Sequence, residues 1–311
     1  MTKRDVILDA MEFRQPAYVP WHVDLTIKCA ERLKENLGVD DLSVFLDGHF
    51  VSVSPGIQGF IKIDENHIRD HYGVTWDRTV DKDIGVPEDW PLKEPTLSGY
   101  EFPEPDDPKW YAGLAEKIAA APDRFSRFAI GFSLYERAWT MRGMENLLID
   151  MIERPAFVDE IFDAICEHNM SIIRNGLKLD VDCVHFGDDY GSQVGLIMGP
   201  KFWRRFIKPR LARMYAAARD AGKYVSQHSC GKVQELFGDL VEMGLRLFNP
   251  FQPEVMDVFD CMKRYHGNLA FHGGMSIQKT LPFGGVEEVR ELTARLIQAG
   301  ANNANKVTHR G

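Results

Sequence analysis

The residues best placed by type and spacing to do chemistry are His228-Ser229-Cys230-Gly231. Side chains two apart on an extended segment point to the same side, so the His228 imidazole and the Cys230 thiol can reach one ion. Imidazole nitrogen and thiolate sulfur are preferred zinc donors, and a catalytic zinc keeps one position open. A capped loop with a buried thiol is the alternative reading of the same residues. Asp188 and Asp189 form a second group. Adjacent acids on one strand do not project side by side, so one is expected to face the site and the other to fix its loop. Gln193, Asn249 and Gln252 are neutral donors and acceptors suited to orienting a substrate, or else turn chemistry around Pro250 and Pro253.

These residues follow short apolar runs that alternate with amphipathic segments, the pattern of a parallel α/β fold. Cys183–Phe186, Lys223–Gln227, Leu245–Phe248 and Leu269–Phe271 read as strands, and earlier ones are expected at Tyr18–Val23, Leu42–Leu46 and Phe128–Phe132. Helices are expected between them. Val233, Leu236, Phe237, Leu240 and Val241 share one helical face that ends at Gly244, and Gly143–Gly176 is helical with a break at Pro155. Pro200 opens another helix, with a kink expected at Pro209. Val289, Leu292 and Leu296 mark a last helix ending near Gly300.

About seven strands result, one short of a (β/α)8 barrel, whose working site lies at the carboxyl ends of its strands. After Gly300 the polar run Ala301-Asn302-Asn303-Ala304-Asn305-Lys306-Val307-Thr308-His309-Arg310-Gly311 offers no convincing closing strand, so the first and seventh strands are expected to keep exposed edges. The reading is a TIM-type barrel lacking its last strand, as one domain over residues 1–311. Residues 61–108, rich in Asp, Pro, Gly and Trp, read as an ordered insertion.

A net charge of −9 and the lack of a long basic run argue against nucleic acid. A small-molecule substrate fits better. No uninterrupted apolar core for a signal peptide or a membrane span is seen, so the expected location is the cytoplasm, where the five cysteines would stay reduced. Cys166, four residues after Phe162, fits a helical apolar stripe.

The stretches Gly187-Asp188-Asp189-Tyr190-Gly191-Ser192-Gln193, His228-Ser229-Cys230-Gly231 and Asn249-Pro250-Phe251-Gln252-Pro253-Glu254 resemble the uroporphyrinogen decarboxylase superfamily. Supporting stretches are Pro16–Pro20, Asp70–Trp76, Phe102–Pro108 and Gly273–Gly284. The resemblance implies a TIM-type barrel. Its decarboxylase branch carries Arg-Gln-Ala-Gly-Arg after the first strand, where this chain has Pro20-Trp21-His22-Val23-Asp24-Leu25 and so lacks the bidentate partners that carboxylates favour.

His228 and Cys230 match the His-x-Cys zinc pair of the corrinoid-dependent methyltransferase branch, similar to methylcobamide:coenzyme M methyltransferases; the later cysteine of that branch has no counterpart here. The resemblance thus implies zinc-assisted methyl transfer between a corrinoid protein and a small thiol, ether or other methylated substrate. In this reading His228 and Cys230 hold zinc, and Asp188 and His228 are catalytic. His22, Asp189, Gln193, Asn249, Gln252 and His272 contact substrate, and the third zinc ligand is His272, Asp188 or His22. Two alternatives stay open: a decarboxylase of a tetrapyrrole or other carboxylate, and a degenerate, non-catalytic barrel.

Overall fold

Along the central strands every second side chain turns to one face, and the two faces differ sharply in burial. In the computed structural model, which describes residues 1–305, the strands in chain order are β1 (Phe50–Val53), β2 (Phe60–Lys62), β3 (His67–Asp70), β4 (Thr75–Asp77), β5 (Val86–Asp89), β6 (Phe125–Ile130), β7 (Cys183–Gly187), β8 (Tyr224–His228), β9 (Leu247–Asn249) and β10 (Ala270–Phe271). Six of them form a parallel sheet in the order β1-β6-β7-β8-β9-β10. Each parallel step needs a crossover, and helices supply most of these connections. Val53, Phe128, Ile130, Val184, Phe186, Val225 and Phe248 face those helices and are buried in the main core.

The opposite face looks into the barrel. At its amino-terminal end Phe50, Phe125, Cys183 and Leu247 pack with Ile7 and Met11 of the helix Lys3–Met11 into a separate apolar cluster that plugs the bottom. Higher up, Ser52, Ala129, His185, Gly187, His228, Asn249 and His272 all keep some exposure. The upper interior is therefore open.

Several expectations hold. β7, β8, β9 and β10 lie where apolar runs placed them, and the helices Met144–Glu153 and Pro155–Gly176 are separated at Pro155, which takes a first-turn position. Before Pro209 the helix widens into a π-turn, Trp203–Ile207, so the missing N–H of proline falls at the start of a new segment, Lys208–Asp220.

Others are corrected. Leu42–Leu46 is a short helix, because the Asp41 carboxylate caps it by accepting from the Ser43 N–H at 2.8 Å. Tyr18–Val23 is no regular strand, although the Trp21 carbonyl accepts from the His49 N–H at 3.1 Å beside the edge of β1. The strand at Phe50–Val53 was not expected. The last helix runs over Val286–Asn305, past Gly300. Of the expected polar ending, residues 306–311 lie outside the described residues.

Residues 60–89 hold a second sheet, antiparallel, in the order β2-β3-β4-β5. Ile68, Tyr72, Val74 and Trp76 of this segment belong to the same core cluster as the barrel helices. A buried ion pair reinforces that seam: Arg137 Nη1 donates to Asp70 Oδ2 at 2.6 Å, with both side chains at most 3% exposed. The Arg137 guanidinium also lies 3.7 Å from the Tyr72 ring centroid. Asp70 Oδ1 accepts in turn from the Tyr72 and Val74 N–H groups, so removing the carboxylate strands a buried cation and two amides. Asp70→Ala is expected to lower unfolding free energy by about 3–5 kcal/mol. Urea denaturation checks this, and a loss under about 1 kcal/mol would contradict it.

Candidate metal centre

The loops after β7 and β8 touch backbone to backbone, which brings their side chains together. Gly231 has φ +80°, and a Cβ placed there would lie 2.3 Å from the carbonyl carbon of Gly191. Reciprocally, a Cβ on Gly191 would meet the Cys230 carbonyl oxygen at 2.8 Å. Only glycine fits this approach. Three hydrogen bonds fasten it: Asp188 N–H to the His228 carbonyl (3.1 Å), Tyr190 N–H to Ser229 Oγ (3.0 Å) and Lys232 N–H to the Ser192 carbonyl (2.8 Å).

Inside this joint, Asp189, His228 and Cys230 each present one donor atom within 4.8 Å of the other two. His228 Nε2 lies 3.4 Å from Asp189 Oδ1 and 3.5 Å from Cys230 Sγ. Asp189 Oδ1 also accepts from the Cys230 N–H at 2.7 Å. Carboxylate oxygen, imidazole nitrogen and thiolate sulfur together form a three-ligand set that suits zinc with a position left for substrate.

The two aspartates divide as one in and one out, but in the order opposite to the expected catalytic role for Asp188. Asp188 is fully buried. Its Oδ2 accepts from the Leu134 and Tyr135 N–H groups at 2.9 and 2.7 Å, and its Oδ1 from the Glu136 N–H at 2.7 Å. It therefore closes the amino terminus of the helix Tyr135–Arg142, whose free amides favour a negative charge. Burial pushes its carboxyl up, to about 7, against the pull of those donors. Asp189, one residue on, faces the cluster. Asp189, and not Asp188, His22 or His272, is thus the residue whose donor atom lies beside those of His228 and Cys230.

His22 and His272 meet each other on another part of the wall. Their ring centroids are 6.2 Å apart, His22 Nε2 lies 3.3 Å from Asp24 Oδ1, and Phe50 packs edge-on against both rings. Asn249 stands in register with His228, and its buried Oδ1 has no partner among the described residues, leaving an acceptor near the cluster. Gln252 is buried, its Oε1 accepting from the Gly231 N–H at 3.1 Å, so it supports the loop joint. Gln193 is exposed on its loop and hydrogen-bonds to no member of the cluster.

Sequence reasoning missed Glu136, Arg127 and His185. Glu136 opens the helix after β6. Burial and the neighbouring Asp189 and Asp188 push its carboxyl well above the usual range, which favours its protonated form beside the cluster. Its position just past a strand's carboxyl end was the available signal. For Arg127 and His185 the signal was a polar residue at the inward phase of an apolar run.

The comparisons agree with this architecture. A model of the family described as uroporphyrinogen decarboxylase (URO-D) matches residues 132–308. The chain belongs to the uroporphyrinogen decarboxylase family. Among solved structures it is similar to a methyltransferase from Methanosarcina mazei, with TM-score 0.70 and 13% identity over 96% of this chain and 90% of that one. That likeness shows the shared TIM-type α/β fold. No curated protein matches the chain. No helix among the described residues is long and apolar enough to cross a membrane.

The cluster's electrostatics are testable in the metal-free protein. Burial pulls the His228 imidazole down, but hydrogen bonds to the Asp189 carboxylate and the Cys230 thiol outweigh it and raise the pKa to about 10. The same contact holds Asp189 below its ordinary value despite burial. Because the folded value for His228 is raised, its stabilisation is complete below the ordinary value of 6.5 and fades as pH rises toward about 10. Asp189→Asn should lower the His228 pKa and flatten the decline of melting temperature over that window. Histidine NMR titration reads the first and thermal unfolding the second; an unchanged His228 titration would refute the pairing.

Proposed function

We propose that this protein is a zinc-assisted methyltransferase that moves a methyl group between a corrinoid carried on a partner protein and a small substrate. The observation that carries this reading is the Asp189–His228–Cys230 cluster at the carboxyl ends of β7 and β8, opening into a barrel with an accessible upper interior. The fold shared with the Methanosarcina mazei methyltransferase supports it. The decarboxylase alternative is less well supported, because Pro20–Leu25 carries no arginine and its His22 and Asp24 are paired with each other.

Zinc held there would act as a Lewis acid on a substrate thiol or ether oxygen, lowering the pKa of the former or easing departure of the latter. His228 must lose its extra proton, and Cys230 its thiol proton, to act as ligands. Asp189, already anionic, supplies the compensating charge that would otherwise be missing from a neutral imidazole and one thiolate. Glu136 keeps a proton at its carboxyl close by, where it can be donated to a leaving oxygen or shared with a bound substrate. Asn249 offers its free Oδ1 as an acceptor for a substrate hydroxyl or thiol. Asp188 acts one step removed, by fixing the helix that carries Glu136.

Protein stripped of metal and reloaded should take up about one zinc per chain. Cys230→Ser and Asp189→Asn should each weaken binding by about 10-fold or more, whereas Asp188→Asn should cost stability with much less effect on the metal. Affinity should rise with pH from about 7 to about 9, because zinc displaces the His228 proton. Calorimetric titration checks all three statements. Full metal retention by Cys230→Ser would remove the basis of the reading, and formation of coproporphyrinogen from uroporphyrinogen in an anaerobic assay would favour the decarboxylase instead.

A further inference from the structure

Two inward-facing layers below His228, the barrel interior holds a cation with no counter-ion in contact among the described residues. Arg127 points inward from β6 and is 5% exposed. Its Nε donates to Ser52 Oγ at 3.0 Å, and its guanidinium lies 4.1 Å from the Phe50 ring centroid. Among the described residues no carboxylate comes within 4.0 Å of it, and its two terminal amino groups donate to no protein acceptor. Asp24, paired with His22, acts on it only at longer range. This differs from the other buried arginines: Arg137, Arg142 and Arg210 each bond directly to an aspartate.

The surroundings are built for a polar guest. On the next strand His185 Nδ1 lies 2.7 Å from Ser226 Oγ, and His272 closes the far side against Phe50. Ser52, His185 and His272 each remain partly or fully open. Burial, with Arg127 nearby, holds both imidazoles down, His272 to about 4, so they are neutral donors or acceptors around one fixed positive charge. A buried guanidinium without a contacting anion is costly, and its fork matches a carboxylate in two parallel hydrogen bonds.

We propose that Arg127, flanked by His185 and His272, receives the carboxylate of a small organic substrate inside the barrel. Arg127 is in register with Cys183, and Cys183 with Tyr224, four residues before His228 on β8. At about 3.3 Å per residue the two levels are roughly 13 Å apart at the backbone. A carboxylic acid long enough to cross that separation can be held at Arg127 by its head while its other end lies at Asp189, His228 and Cys230. That this acid is the methyl donor or acceptor rests on the methyl-transfer reading. The binding itself does not.

The test uses the whole chain stripped of metal, so that it is independent of zinc. Propionate and its neutral analogue propionamide are titrated while the ring C–H signals of His185 and His272 are followed by NMR. Propionate should shift them saturably and propionamide should not, and Arg127→Met should weaken propionate by about 10-fold or more with Arg127→Lys intermediate. Equal responses to acid and amide, no saturable propionate binding, or an equal affinity in a folded Arg127→Met variant would each overturn the assignment. If Arg127→Met does not fold, the acid–amide comparison in the unmodified protein and the Arg127→Lys titration decide it.

Discussion

The approach of Gly191 to Gly231 is the constraint on which the site depends. Two loops from neighbouring parallel strands pack closer than any pair bearing side chains could, and only then do Asp189 and Cys230 fall on either side of His228. The hydrogen bonds across the joint use backbone groups that would otherwise be stranded in a buried loop. Gln252 completes the arrangement from the loop after β9 by taking the Gly231 N–H. A rigid scaffold thus reaches the donor atoms through short, tightly fastened loops, as positioning within a fraction of an ångström requires.

Two neighbouring carboxylates, one residue apart, do opposite work because strand geometry sends them in opposite directions. Asp188 is spent on the amides of a helix and couples the end of β7 to the segment carrying Glu136. Asp189 is spent on His228. The result is a contrast over a short distance, with an imidazole–carboxylate pair whose charged forms are favoured beside a Glu136 carboxyl whose neutral form is favoured. Deeper in the barrel Arg127 restores a positive charge among neutral histidines, so the interior presents a cluster of donor atoms at one level and a cation at another.

Much of this was legible in the chain itself. The strands β7 to β10 are short apolar runs between helical faces, and His228 and Cys230 stand out because their types and spacing suit one ion. Leu42–Leu46 misled because a five-residue run with four apolar members fits a strand or a helix equally, and the Asp41 cap decides between them only through its geometry. The β1 strand escaped because its inward Ser52 interrupts the apolar run. The choice between Asp188 and Asp189 could be posed but not decided, since it depends on the phase of side chains beyond the strand end. Arg127 and Glu136 find their roles through neighbours distant in sequence, and no local spacing announces them.

The most direct test of the account is X-ray absorption at the zinc edge on the metal-loaded protein. The cluster predicts a mixed shell, with one sulfur at about 2.3 Å and the remaining nitrogen and oxygen donors at about 2.0–2.2 Å. The sulfur should vanish in Cys230→Ser. A shell of nitrogen and oxygen alone in the unmodified protein would contradict the account, because it would place the metal away from Cys230.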